Sequence, residues 1–294
     1  MSAPDGGALS LRCWGTRGSI PSPGPQTARY GGNTSCVEIV AGDRHLIFDG
    51  GSGARSLGMS LLDAGEQVDT TLFLTHFHWD HIQGIPFFSP LYDPETRLDI
   101  VGPVQRDAEG SPFDVESLFA GQMGPIYFPI PMSAVSAAVT FGHLNEGVWE
   151  QGDVRVSAMR VRHPSYTVGY RVDFGGHSVA YVPDNELASG AYPMGPDWRS
   201  RFVDFLGDVD VLLHDAMYTS GEYPSRIQWG HSTYAQVMDL ADEVGARELV
   251  FFHHDPMRTD DELDVIVERS RESARSAGRT VNIRAAAEGE DILS

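Results

Sequence analysis

Thr75-His76-Phe77-His78-Trp79-Asp80-His81 follows directly on the apolar run Leu72-Phe73-Leu74. The run reads as the end of a buried strand, so His76, His78, Asp80 and His81 all issue from one strand end and the turn behind it. His76 and His78 lie two apart and can share a side of extended chain, while Asp80 and His81 turn toward an adjacent position. Imidazoles and carboxylates together suit zinc, with manganese or iron as alternatives; the two separated cysteines, Cys13 and Cys36, do not suit a structural thiolate site. The spacing predicts two neighbouring divalent ions with water activated between them.

Outward from that stretch, the same juxtaposition recurs: an apolar strand stops and a His or Asp appears, at Asp49, Asp184, Asp215 and His253 as well as His76. Several strand ends converging on one site would produce it. Strands are expected over residues 9–14, 35–39, 46–48, 70–74, 98–101, 154–160, 167–174, 178–182, 209–213 and 249–252. Helices are expected over 53–63, 113–119, 233–244 and 260–277, the second with Ser111 as its cap and the last running from acidic to basic along its dipole. No repeat or linker divides the chain, which predicts one domain over residues 1–294.

Composition narrows the partners. Asp and Glu total 41 against 21 Lys and Arg, a formal charge of −20, which opposes a long phosphate backbone; folded nucleic acid is a poor partner and a small molecule a better one. Two cysteines in 294 residues do not make a disulfide framework and read as reduced thiols. The start Met1-Ser2-Ala3-Pro4-Asp5-Gly6-Gly7 has no basic and apolar leader, and no run approaches the roughly 20 apolar residues that span a bilayer, so a cytoplasmic protein without a membrane partner is expected.

The 75–81 stretch, with Gly84 following, resembles the signature of metallo-beta-lactamase-fold hydrolases. The likeness runs across nearly the whole chain, from Gly15-Thr16-Arg17-Gly18 and Phe48-Asp49-Gly50-Gly51 to His253, and is strongest to the phosphodiesterase branch with its tRNA 3'-end processing endonucleases and bacterial cyclic phosphodiesterases. The resemblance implies an α/β fold: an αββα sandwich of two facing mixed β-sheets with helices outside and the metals at one edge. It implies His76, His78 and His163 on one ion, Asp80, His81 and His253 on the other, and Asp184 between them. Asp49 is expected to orient a ligand imidazole, and His254 to hydrogen-bond the site. A metal-bridging hydroxide would attack, Asp80 would accept its hydrogen bond, and His231 would protonate the leaving oxygen, oriented by Asp215. Without the resemblance each residue has a plainer use: His163 packing on Tyr166 or Tyr170, Asp184 capping the loop at Asn185, Asp49 as a turn carboxylate, His231 as a helix-start residue.

The resulting expectation is a phosphodiesterase for a small cyclic nucleotide or related cyclic phosphodiester. A tRNA 3'-processing endoribonuclease is disfavoured because Arg106 stands among Asp107, Glu109, Asp114 and Glu116, with no basic arm between residues 98 and 149. Lactone or thioester hydrolysis and a noncatalytic metal scaffold are the remaining alternatives. Residues 121–131, containing Met123, Tyr127 and Phe128, would either stack on a base, in a homodimer across the subunit contact, or fill the core.

Overall fold

The computed structural model describes residues 9–65, 67–188 and 192–293; the stretch at residues 1–7, expected to carry no leader, lies outside them. In chain order the elements are β1 (Leu9–Gly15), β2 (Cys36–Ala41), β3 (Arg44–Phe48), α1 (Ala54–Asp63), β4 (Asp69–Phe73), α2 (Trp79–Ile82), β5 (Arg97–Gly102), β6 (Gln105–Arg106), β7 (Pro112–Phe113), α3 (Val115–Gln122) and β8 (Ala138–His143). There follow β9 (Gly147–Gln151), β10 (Val154–Val161), β11 (Thr167–Phe174), β12 (His177–Val182), α4 (Trp198–Leu206), β13 (Val211–Asp215), α5 (Tyr234–Glu243), β14 (Glu248–Phe252), α6 (Asp260–Ser276), β15 (Asn282–Ala285) and β16 (Asp291–Leu293).

Two seven-stranded sheets face each other, ordered β16-β1-β2-β3-β4-β5-β8 and β15-β14-β13-β12-β11-β10-β9. Both are mixed. In the first, β1, β2 and β3 pair antiparallel and β3, β4, β5 and β8 parallel. In the second, β9 to β12 pair antiparallel and β12 to β15 parallel. Parallel strands finish at the same edge, which is why β3, β4, β12, β13 and β14 deliver their following residues to one place.

Alternating burial along β1 shows how the layers form: Leu9, Leu11 and Cys13 point inward while Ser10, Arg12 and Trp14 are part-exposed. Between the sheets Leu11, Ile39, Phe48 and Phe73 meet Val156, Tyr170, Tyr181 and Phe252. Phe48 stacks on Phe73 at 5.2 Å between centroids, and Phe73 meets Tyr170 of the other sheet at 5.5 Å. Fully burying a side chain of this kind contributes about 1.5–3 kcal/mol. Outside, α1 and α3 cover the first sheet through Leu57 and Phe119, and α4, α5 and α6 cover the second through Phe202, Val237 and Val267. The order is the αββα sandwich that the resemblance to metallo-beta-lactamase-fold hydrolases implies.

Three local expectations change. Helix α3 starts at Val115 and is capped by Asp114, whose side chain accepts from Ser117 N–H, because Ser111 belongs to the β6–β7 hairpin turn. Strand β13 begins at Val211 and runs on through Asp215. Strands β8, β9, β15 and β16 and helix α4 were not expected. Cys13 and Cys36 are buried and free, and no helix of the described residues is long and apolar enough to cross a membrane.

Candidate metal centre

Strand β3 stops at Phe48, and Asp49 turns out of it with φ 59°, a left-handed conformation uncommon outside glycine. That torsion aims its carboxylate beneath the 75–81 turn, where it accepts from Thr75 N–H at 2.8 Å and from the Thr75 hydroxyl at 2.9 Å. His81 Nδ1 meets Asp49 at 2.7 Å and the Tyr181 hydroxyl donates to it at 2.9 Å. A carboxylate on Nδ1 leaves His81 Nε2 as the free ligand atom. Helix α2 is one turn, opened by His78 in extended conformation, and it swings Asp80 and His81 inward while Trp79 faces solvent.

The second sheet supplies the facing groups from its own strand ends. His163 follows β10, Asp184 follows β12, Asp215 ends β13, and His253 follows β14 in a left-handed conformation at φ 58°. Asp184 sits at the centre: its Oδ2 is 3.2 Å from His76 Nε2 and 2.8 Å from His81 Nε2, and its Oδ1 is 3.1 Å from His253 Nε2. Asp80 Oδ2 lies 3.2 Å from His253 Nε2 and 3.4 Å from His81 Nε2. It also accepts from Ser19 N–H at 2.7 Å.

Four sets of ligand atoms converge, each within 4.8 Å: His76–His78–His163, His76–His81–Asp184, Asp80–His81–His253 and Asp184–His231–His253. A dinuclear His/Asp centre fits them. The buried ring nitrogens His76 Nε2 and His81 Nε2 and the oxygen Asp184 Oδ1 have no hydrogen-bond partner, and as three atoms of one cluster they are free to take a common ion. His163 Nε2 and His78 Nδ1 face each other at 3.1 Å, lone pair toward lone pair or around a shared proton.

Charge agrees. Burial disfavours ionised Asp80 and Asp184, yet the surrounding imidazoles outweigh it and hold both well below the usual carboxylate range. Burial and neighbouring imidazoles lower His76, and burial brings His163 down to about 3, so both rings present neutral nitrogens. His81 goes the other way: burial works against its charged form, but Asp80, Asp184 and Asp49 overcome that and raise it well above the usual imidazole range, so this ring sits where the carboxylates call for a positive charge.

Beside it lies a pair of another kind. His231 Nδ1 is 3.2 Å from Asp215 Oδ2 and 3.4 Å from Asp184 Oδ1. Burial pulls this imidazole toward neutrality, but Asp215, with Asp184 and Asp80, overcomes that and pushes its pKa up to about 9. Asp215 also accepts from Ser232 N–H at 3.1 Å and Asn185 N–H at 3.2 Å. The turn before His231 packs tightly: at Gly230, φ 89°, a Cβ would stand 2.2 Å from His163 Nδ1.

His254 takes a different part from the one expected. Its ring meets the Ala286 carbonyl at 2.9 Å instead of a cluster residue. Its backbone serves the site, the carbonyl accepting from Gly18 N–H at 3.0 Å. Met123 is core, 1% exposed, whereas Tyr127 and Phe128 line a groove of about 580 Å³ with Phe87 and with Phe77, Trp79 and Ile82, the last three interleaved in sequence with the cluster residues.

Sequence reading did not single out Tyr181, Ser19 or Glu186. Tyr181 looks like one more apolar strand residue, and Ser19 acts through its backbone. The run Pro183-Asp184-Asn185-Glu186, polar immediately behind a buried strand, is a signal that includes Glu186.

Residues 44–254 match the family model described as the beta-lactamase superfamily domain. The chain is 26% identical over 286 residues to a ribonuclease Z of Halobacterium salinarum, covering 83% of this chain and 86% of that protein. Its fold is similar to that of the metallo-beta-lactamase fold protein YhfI from Bacillus subtilis, with TM-score 0.70, 18% identity and coverage of 98% and 100% of the two chains. It is likewise similar to the short form of human tRNase Z, with TM-score 0.66, 18% identity and coverage of 96% and 98%. The family match takes in most of the chain, from β3 through β14 with all the cluster residues, and by it this protein belongs to the metallo-beta-lactamase superfamily, with a site built for metal-dependent hydrolysis.

Proposed function

We propose that this chain, acting as one domain, is a dinuclear-metal-dependent phosphodiesterase for a small cyclic nucleotide or related cyclic phosphodiester. The observation that carries the reading is the Asp215–His231 pair at the margin of the ligand cluster, a held proton donor where a leaving oxygen needs one. Curated proteins similar to this chain carry the name ribonuclease Z, which places their reaction at a phosphodiester.

In this reading His76, His78 and His163 would hold one ion and Asp80, His81 and His253 the second, with Asp184 available to either. Two divalent ions bound there, zinc first and manganese or iron as alternatives, would supply a nucleophilic water and draw charge from a phosphoryl oxygen. The chain's own groups do the rest. Asp49 fixes the His81 tautomer, Asp80 orients the attacking water through its free oxygen, and Asp215 keeps His231 placed to give its proton to the departing oxygen. The groove of Trp79, Phe87, Tyr127 and Phe128 is an uncharged wall of the size small ligands use, suited to a planar ring attached to the phosphate.

A second reading, RNA 3'-end processing, draws on the relatives' name. The formal charge of −20 weighs against it, as does Arg106 standing among acidic neighbours on the β6–β7 hairpin. Protein loaded with zinc or manganese, offered cyclic nucleotides, an aryl phosphodiester, lactones, a thioester and a tRNA precursor, distinguishes these. We expect turnover of the phosphodiesters, with a cyclic nucleotide preferred; turnover confined to the lactones or thioester would remove the proposal, and turnover confined to the precursor would replace it by the second reading.

A further inference from the structure

Glu186 is fully buried and belongs to none of the ligand groups. Its Oε1 accepts from the Tyr223 hydroxyl at 2.7 Å and from Gln228 N–H at 2.8 Å, and its Oε2 accepts from Gly230 N–H at 2.8 Å. The segment it grips is unfavourable by itself: Gln228 and Gly230 both have positive φ, 71° and 89°, and Gln228 is not a glycine. Two backbone N–H groups of one turn thus end on a single carboxylate, a charge-assisted arrangement stronger than neutral hydrogen bonds.

The gripped turn serves two imidazoles. The Gly230 carbonyl meets His163 Nδ1 at 3.1 Å, which fixes the proton on Nδ1 and frees Nε2 toward His78 and the cluster. The next residue is His231. Behind them Glu186 N–H donates to the Arg162 carbonyl at 2.8 Å, and the Asn185 side chain accepts from Arg162 N–H at 3.0 Å, tying down the residue before His163. Ser232 completes the stitch with its hydroxyl on the Asn185 carbonyl.

We propose that Glu186 is a positioning residue that acts through Gly230 on two groups at once, setting the tautomer of His163 and the place of His231. The part concerning His231 rests on the phosphodiesterase reading; the part concerning His163 does not. Removing the carboxylate frees three donors and lets the turn relax, and the proton donor loses its alignment. Proton donation matters most when the departing oxygen is a strong base, so the damage depends on the leaving group.

The test uses full-length Glu186→Ala and Glu186→Gln proteins loaded with zinc. For a phosphodiester that releases an alkoxide, kcat in the Ala variant falls about 10²-fold, the scale of general acid catalysis. For a p-nitrophenyl ester it falls only slightly, and KM is steady for both. The Gln variant keeps one acceptor and the shape, and recovers part of the loss. Two readouts do not need turnover: amide hydrogen exchange at residues 228 and 230, which should accelerate, and the ¹⁵N imidazole signals of His163, which should shift from a single Nδ1–H form. Exchange and imidazole signals like the parent's in both variants would remove the clamp. Equal losses for both leaving groups would reduce Glu186 to a structural residue and overturn the proposal. If the parent cleaves no phosphodiester, the phosphodiesterase reading fails, and exchange with the His163 signals still decides whether the clamp exists.

Discussion

Asp49 shows at single-residue scale how one torsion converts a strand end into chemistry. Continuing β3 would have sent its side chain to a sheet face; at φ 59° it meets Thr75, His81 and Tyr181 together. His231 depends on a comparable placement, held by Asp215 from one side and the Gly230 turn from the other. Replacing His231 by Ala is expected to slow phosphodiester cleavage about 10²-fold or more at unchanged metal content, measured by steady-state kinetics beside elemental analysis. Loss of a metal ion with the activity would instead make His231 a ligand, a use its grouping with Asp184 and His253 also offers. His76, Asp184 and His253 were legible in the sequence because each comes just behind an apolar run, and His78, Asp80 and His81 because they crowd one turn, whereas His163, behind the charged Arg162, was reached only through the family resemblance. Glu186 was not legible, because a carboxylate that binds backbone N–H groups of a distant turn leaves no spacing to read.

Strands and helices carry these residues by simple rules. Parallel neighbours β12, β13 and β14 end level with one another, so Asp184, Asp215 and His253 arrive at one edge although they are far apart in sequence. Runs such as Leu249–Phe252 were legible since a fully buried strand needs uninterrupted apolar residues. Strands β8 and β9 were not, because they lie at sheet edges with mostly exposed side chains. Trp198, Phe202 and Leu206 do repeat every four residues on α4, but Pro193, Gly195 and Pro196 before them read as loop. Helix ends are testable. Thr233→Ala removes the capping box of α5 and should cost about 1 kcal/mol in urea unfolding. Asp114→Ala should lower the unfolding midpoint while Ser111→Ala leaves it in place, since Asp114 caps α3.

The whole molecule concentrates negative charge and then gathers carboxylates and imidazoles at one edge of two packed sheets. Cation binding should therefore stabilise the folded chain strongly: an ion at a hundredfold its Kd adds about 2.7 kcal/mol. Stripping with a chelator should lower the thermal midpoint, and zinc or manganese should restore it, followed by calorimetry. Asp184→Ala, which removes the one carboxylate touching His76, His81 and His253, should abolish most of that recovery. The donors are divided between the layers, with His76, His78, Asp80 and His81 behind the first sheet and His163, Asp184 and His253 behind the second. Neither layer alone owns a complete set. An occupied centre thus rivets one slab of the sandwich to the other, and shear that slides them apart must tear coordinate bonds as well as squeeze water into the seam.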